Sequence, residues 1–219
     1  LTPLFSASFQ TEEQKDKLLD KLLNVYLTEY GLTTVDPDAG FYRSGYWCGA
    51  VWMPFHWFFW KSLIGLGLLE DAEKIALNVL KNYTRNHRDF PVCYEKFDLE
   101  SGKGCGDFSF SGLSSIVLNL WAGYRRPGSV TTGYLVIPRK IEIAEKFDAA
   151  TLELLSDEKT LHTGVILVLK PNTGFMIESK DYKFTVSSDQ FGRIEFQIPN
   201  AKYIKLRIVE NKEPVFQSA

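Results

Sequence analysis

Tyr46-Trp47-Cys48-Gly49-Ala50-Val51-Trp52 leads into Met53-Pro54-Phe55-His56-Trp57-Phe58-Phe59-Trp60, the most apolar run of the chain. Rings recur on almost every side of this run, so over residues 50–65 it predicts a helix that is buried nearly all round. Such a helix lies inside the fold and not on its surface. Pro54, His56 and Lys61 interrupt the apolar stretch before it reaches the roughly 18 uncharged residues of a membrane span. The start of the run has a second character. Aromatic rings beside glycine form a flat stacking surface, and a pyranose ring offers a matching C–H face with a hydroxyl rim. Glu95, on a later glycine-rich loop, adds a carboxylate to that surface.

Upstream, Thr11 with Glu12 and Glu13 is a helix start, and Leu18, Leu19, Leu22, Leu23 and Tyr26 recur at helical spacing up to Tyr30-Gly31. Downstream, residues 70–87 carry Ala72, Ile75, Ala76, Val79, Leu80 and Tyr83 as an amphipathic stripe. Residues 112–124 read as a fourth helix. The loops between them alternate long and short, as in stacked antiparallel helix pairs. Arg125-Arg126-Pro127-Gly128-Ser129 ends the helical texture. Beyond it the texture becomes β over segments 134–137, 140–143, 165–169, 182–186, 193–198 and 203–209, several of which alternate apolar and polar residues, with turn signals between them. The expected fold is therefore mainly α with an appended all-β domain: residues 1–126 as part of a helical toroid, and residues 130–219 as a small antiparallel β-sandwich.

Composition excludes several classes of function. A hydrophobic content of 45% is ample for a packed core. The net charge is −2 with no basic run, so no nucleic-acid footprint is visible. Cys48, Cys93 and Cys105 have no metal-ligand spacing and read as ordinary thiols, so no metal is expected. Nothing in the composition fixes a compartment.

The order of short motifs carries a resemblance. Leu1-Thr2-Pro3-Leu4-Phe5, Tyr30-Gly31-Leu32, Gly45 through Trp52, Tyr94-Glu95-Lys96-Phe97-Asp98, Ser101-Gly102 and Phe110-Ser111-Gly112-Leu113-Ser114 follow one another. This series resembles the C-terminal half of the catalytic barrel in glycoside hydrolase family 63 and its mannosylglycerate-hydrolase-like and trehalase-like relatives. The resemblance covers about residues 1–125. It implies part of an (α/α)6 barrel, hydrolysis of a glycosidic bond with inversion and without a cofactor, and a carbohydrate as the partner molecule. It places the general base at Glu95. The general acid, an aspartate, would lie in the first half of the barrel. That half is expected as a missing segment or a separate chain, because this sequence holds far fewer helices than a complete barrel. Trp47, Trp52 and Tyr46 are candidates for the sugar wall, with His56, Phe110 and Ser111 as further substrate contacts. Cys48, Ala50 and Leu113 depart from the arginine, proline and tryptophan usual in the family.

Blander roles compete. Aromatics at a helix start are usually core, His56 reads better as a satisfied buried histidine, and Trp57 to Trp60 read as packing. Asp98 is expected to fix its loop and Asp107 to brace the next helix. A non-catalytic carbohydrate-binding or assembly subunit is the first functional alternative. A sugar lyase or isomerase on an α/α toroid is the second.

Overall fold

The computed structural model describes residues 1–42, 47–157 and 160–211. The chain divides into two compact units: Leu1–Leu63 with Glu70–Trp121, and Ile64–Leu69 with Ala122–Ala219.

In the first unit, α1 (Pro3–Ser6) precedes α2 (Glu12–Lys21). Thr11 starts α2 as read, its hydroxyl accepting the Gln14 N–H at 3.1 Å. The helix continues as a π-turn over Leu22–Tyr26, then a two-residue hairpin pairs β1 (Leu27–Thr28) with β2 (Gly31–Leu32). The aromatic helix, α3, runs Met53–Gly65. It begins three residues later than its apolar pattern suggests, because Val51 is held in extended backbone pairing. Val51 N–H donates to Phe97 O and Phe97 N–H to Val51 O, both at 2.9 Å. The long α4 spans Leu69–Asp89. Its expected stripe is real: Ala72, Ile75, Ala76 and Val79 are fully buried. A hairpin of β3 (Lys96–Phe97) and β4 (Gly104–Cys105) follows. The expected fourth helix is two pieces, α5 (Ser111–Ser114) and α6 (Val117–Arg125).

The second unit is antiparallel throughout. Its strands are β5 (Val130–Thr132), β6 (Val136–Ile143), β7 (Ala149–Ser156), β8 (His162–Val168), β9 (Gly174–Glu178), β10 (Lys183–Ser187), β11 (Arg193–Pro199) and β12 (Tyr203–Glu210). Five of them form a sheet in the order β10-β9-β12-β7-β6, and three form a second in the order β11-β8-β5. Alternate residues from both sheets share one apolar core, among them Leu152, Phe175, Ile177 and Leu206 from the larger and Val165, Leu167 and Phe196 from the smaller. This is a sandwich, with the period-2 pattern supplying its inner faces. On the outer face of the larger sheet, Lys205 opposes Glu153 and Arg207 opposes Glu178, so that face is solvated. The smaller sheet is covered on its other face too. Gly164 has no room for a side chain, since a Cβ there would lie 2.5 Å from Leu69 Cδ2 and 2.8 Å from the Ile64 carbonyl.

Helix and strand thus occur in near-equal share. The description "mainly α" fits the chain up to Arg125; taken whole, the chain is mixed.

Candidate active site

The site is a junction of three short segments in the first unit. Thr33 bridges to Val51, and Val51 to Phe97, so the β2 segment, the Trp47–Trp52 stretch and the Glu95 hairpin lie side by side. Hydroxyls reinforce the seam: Thr33 Oγ1 donates to Gly49 O at 2.9 Å, and Gly49 N–H donates to Thr34 Oγ1 at 2.9 Å.

Helix α4 holds the junction from below through asparagines one turn apart. Asn78 Nδ2 donates to Thr28 O at 2.9 Å, and Asn82 Nδ2 to Tyr30 O at 3.1 Å. Asn86 clamps the glycine-rich loop twice, donating to Gly102 O and accepting from Gly104 N–H, each at 2.8 Å. Sequence reasoning missed these three residues. Their signal was a run at i, i+4 and i+8 of a residue that is a poor helix former, which needs a reason to stay.

Glu95 sits at the mouth of the hairpin with its side chain 16% exposed. Its backbone N–H donates to Asp107 O at 2.9 Å. Its Oε2 accepts from Lys96 Nζ at 3.2 Å and from Asp107 N–H at 3.3 Å. Gly106 makes that seat possible. Its φ is +83°, and a Cβ there would fall 2.2 Å from Glu95 Oε2. Asp107, expected to brace the next helix, instead turns its own loop: its Oδ1 accepts Ser109 N–H at 2.7 Å, ahead of the start of α5. Asp98 holds its own loop by accepting Ser101 N–H at 2.8 Å. Opposite Lys96 in the hairpin lies Cys105, whose thiol is pushed up in pKa, chiefly by burial.

The aromatic wall separates into a backing and a face. Trp47 stacks on Trp52 with centroids 3.8 Å apart and planes 13° from parallel. Trp52 is buried at 1% exposure, while Trp47 remains 39% exposed. Phe55 meets Trp47 edge-on, at 5.7 Å. Trp47 is therefore the more exposed ring of the pair, with Trp52 behind it. A cavity of about 280 Å³ opens beside Phe55 and Thr33, lined also by Phe5, Tyr26 and Phe59; Glu95 is not in its lining. Tyr46 lies outside the described residues.

His56 is fully buried, and both ring nitrogens are occupied. Nε2 accepts Leu32 N–H at 2.7 Å, which puts the ring proton on Nδ1 and directs it at Trp52 O, 3.1 Å away. Burial drives its pKa down to about 4, so the ring is neutral. This geometry leaves His56 no polar atom for a substrate. It ties the β2 backbone to the start of α3, and Gly31 (φ +139°) lets it approach, since a Cβ there would lie 2.6 Å from Nε2. Phe110 is half-buried and its N–H donates to Cys93 O at 2.8 Å, which fastens the start of α5 two residues from Glu95. Ser111 is exposed at the first position of that helix. Buried Ser114 donates to Tyr94 O from the same short helix, another anchor that sequence reasoning missed. Among the described residues no group of three or more His, Cys, Asp or Glu is placed to hold a metal ion, and no helix is long and apolar enough to cross a membrane.

The class of protein is given by a family match: it is a glycoside hydrolase. Residues 1–111 match the family described as mannosylglycerate hydrolase MGH1-like glycoside hydrolase domain, and the chain belongs to that family. Alpha-glucosidase 2 of Arabidopsis thaliana is 26% identical over 121 residues, covering 47% of this chain and 15% of its own length. Mannosyl-oligosaccharide glucosidase GCS1 of the same plant is 23% identical over 121 residues and is covered over 14%. The chain thus spans about a seventh of the curated relatives it matches. The crystal structure of GH63 mannosylglycerate hydrolase from Thermus thermophilus in complex with glucose is 23% identical. That match covers 55% of this chain and 29% of the other, with a TM-score of 0.42.

Proposed function

We propose that this chain contributes the base-bearing part of an inverting glycosidase built on an (α/α)6 barrel. Glu95 is the general base. It takes a proton from water as the water oxygen bonds to the anomeric carbon. The leaving oxygen departs with the glycosidic bond's electron pair and receives a proton from a carboxylic acid on a segment or chain outside these residues. The two carboxyls of such a pair stand ~6.5–9.5 Å apart to admit the water. Trp47 meets the C–H side of a pyranose with its exposed surface, with Tyr46 as a further contact and Phe110 and Ser111 at the rim.

The observation that carries this reading is the seating of Glu95. A part-buried carboxylate held on one oxygen by a cation and a backbone N–H, beside a stacked indole pair, suits proton abstraction better than loop structure alone. Residues 130–219 are then an accessory β-domain. Cys48 supplies no charged fork beside Trp47, which favours a non-catalytic sugar-binding subunit as the second reading.

Proton NMR of hydrolysis by the assembly that carries the acid separates the two. The hydrolase reading expects the first sugar released to have the inverted anomeric configuration, and retained configuration would contradict it. Sugar binding that weakens in Trp47→Ala, with no hydrolysis in the complete assembly, would instead support the binding subunit.

A further inference from the structure

We propose that Lys96 is the positioning residue of this site and that it determines which oxygen of Glu95 acts. The inference rests on the assignment of Glu95 as base. Among the described residues, every hydrogen bond and ion pair of the Glu95 carboxylate falls on Oε2: Lys96 Nζ at 3.2 Å and Asp107 N–H at 3.3 Å. The backbone of Gly106 closes on that same oxygen. Oε1 takes none of these contacts and is the oxygen left to receive a proton from water.

Lys96 is well placed to enforce this division. Its side chain is 15% exposed, so its pairing with Glu95 is less screened than a surface pair. Its ammonium also lies 5.6 Å from the centroid of Trp52, within range of attraction to the indole face. Trp52 is the ring on which Trp47 stacks. One cation therefore touches both the carboxylate and the backing of the sugar wall, on two segments already joined by the Val51–Phe97 pair. Lys96 locks the Glu95 side chain about its last torsions and sets Oε1 in register with a sugar resting on Trp47. Neutral side chains of the same length fill the space without that lock.

Lys96→Met, Lys96→Arg and Glu95→Gln test this in two measurements. In the assembly that carries the acid, assayed with 4-nitrophenyl glycosides, Lys96→Met lowers kcat about tenfold to a hundredfold, the scale of a misplaced catalytic group. KM stays within about twofold because the Trp47 face is retained, and Lys96→Arg recovers most of the rate. In this chain alone, side-chain ammonium NMR shows a Lys96 signal protected from solvent exchange, and Glu95→Gln removes the protection. The Trp52 indole signal moves in Lys96→Met and returns towards its original position in Lys96→Arg.

Two results overturn the proposal while leaving the base assignment intact: full kcat in Lys96→Met where Glu95→Gln is inactive, or a Lys96 signal unchanged by Glu95→Gln. Hydrolysis persisting in Glu95→Gln removes the base assignment, and with it the acting oxygen.

Discussion

At Gly106, backbone and side-chain arguments converge. Its positive φ and its closeness to Glu95 Oε2 mean that Gly106→Ala meets strain and overlap together. A loss of about 1–3 kcal/mol in urea unfolding is expected, with the Glu95 side chain displaced. Wild-type stability in that variant would contradict the described seat. His56 provides a pH test. Its folded pKa of about 4 lies below the ordinary 6.5, so the unfolded chain binds the proton more readily. The His56 contribution is complete above pH 6.5 and is lost as pH falls from there through 4, by up to about 3 kcal/mol. Urea midpoints at pH 7 and pH 4.5 should therefore converge between wild type and His56→Gln on acidification. A constant gap would refute a buried neutral ring. The two indoles should also differ. Trp52→Ala is expected to cost about 3–5 kcal/mol as a core deletion, whereas Trp47→Ala costs much less and is felt in sugar affinity; equal losses of stability would show that the backing and the face have been misassigned.

At the scale of elements, what sequence revealed depended on whether local pattern and tertiary context agreed. The stripe of α4 was legible because Ala72, Ile75, Ala76 and Val79 keep one helical period through its first half. The start of α3 was not, since the extended pairing of Val51 comes from Phe97, 46 residues away in the sequence numbering. Strand β7, between β12 and β6 in the larger sheet, went unread because Ala149-Ala150-Thr151-Leu152-Glu153-Leu154-Leu155-Ser156 is rich in helix formers. Pairing on both sides overrides that preference. Glu95 and Trp47 were named from motif order, but several groups that hold the site together bind partners far along the chain, a pairing the sequence does not show. Asn86 is the clearest of these. Asn86→Ala removes both links to the glycine-rich loop and should cost about 1–3 kcal/mol. Hydrogen exchange should rise at Gly104 N–H before it rises in α4, and unchanged protection there would mean the clamp is dispensable.

Across the whole molecule, the matched family region and the β-sandwich differ in chemistry as well as texture. Residues 1–111 carry the family match and all the candidate site residues; the sandwich presents cross-strand ion pairs on the outer face of its larger sheet. The central claim is that Glu95 activates water. Its most direct test is the turnover of Glu95→Gln against its sugar affinity, both measured in the assembly that carries the acid. The account predicts a loss of kcat of at least about a thousandfold, drawing on the 10²–10⁴-fold typical of general-base catalysis, with affinity for the sugar within about threefold of wild type. Turnover within a few-fold of wild type would contradict it.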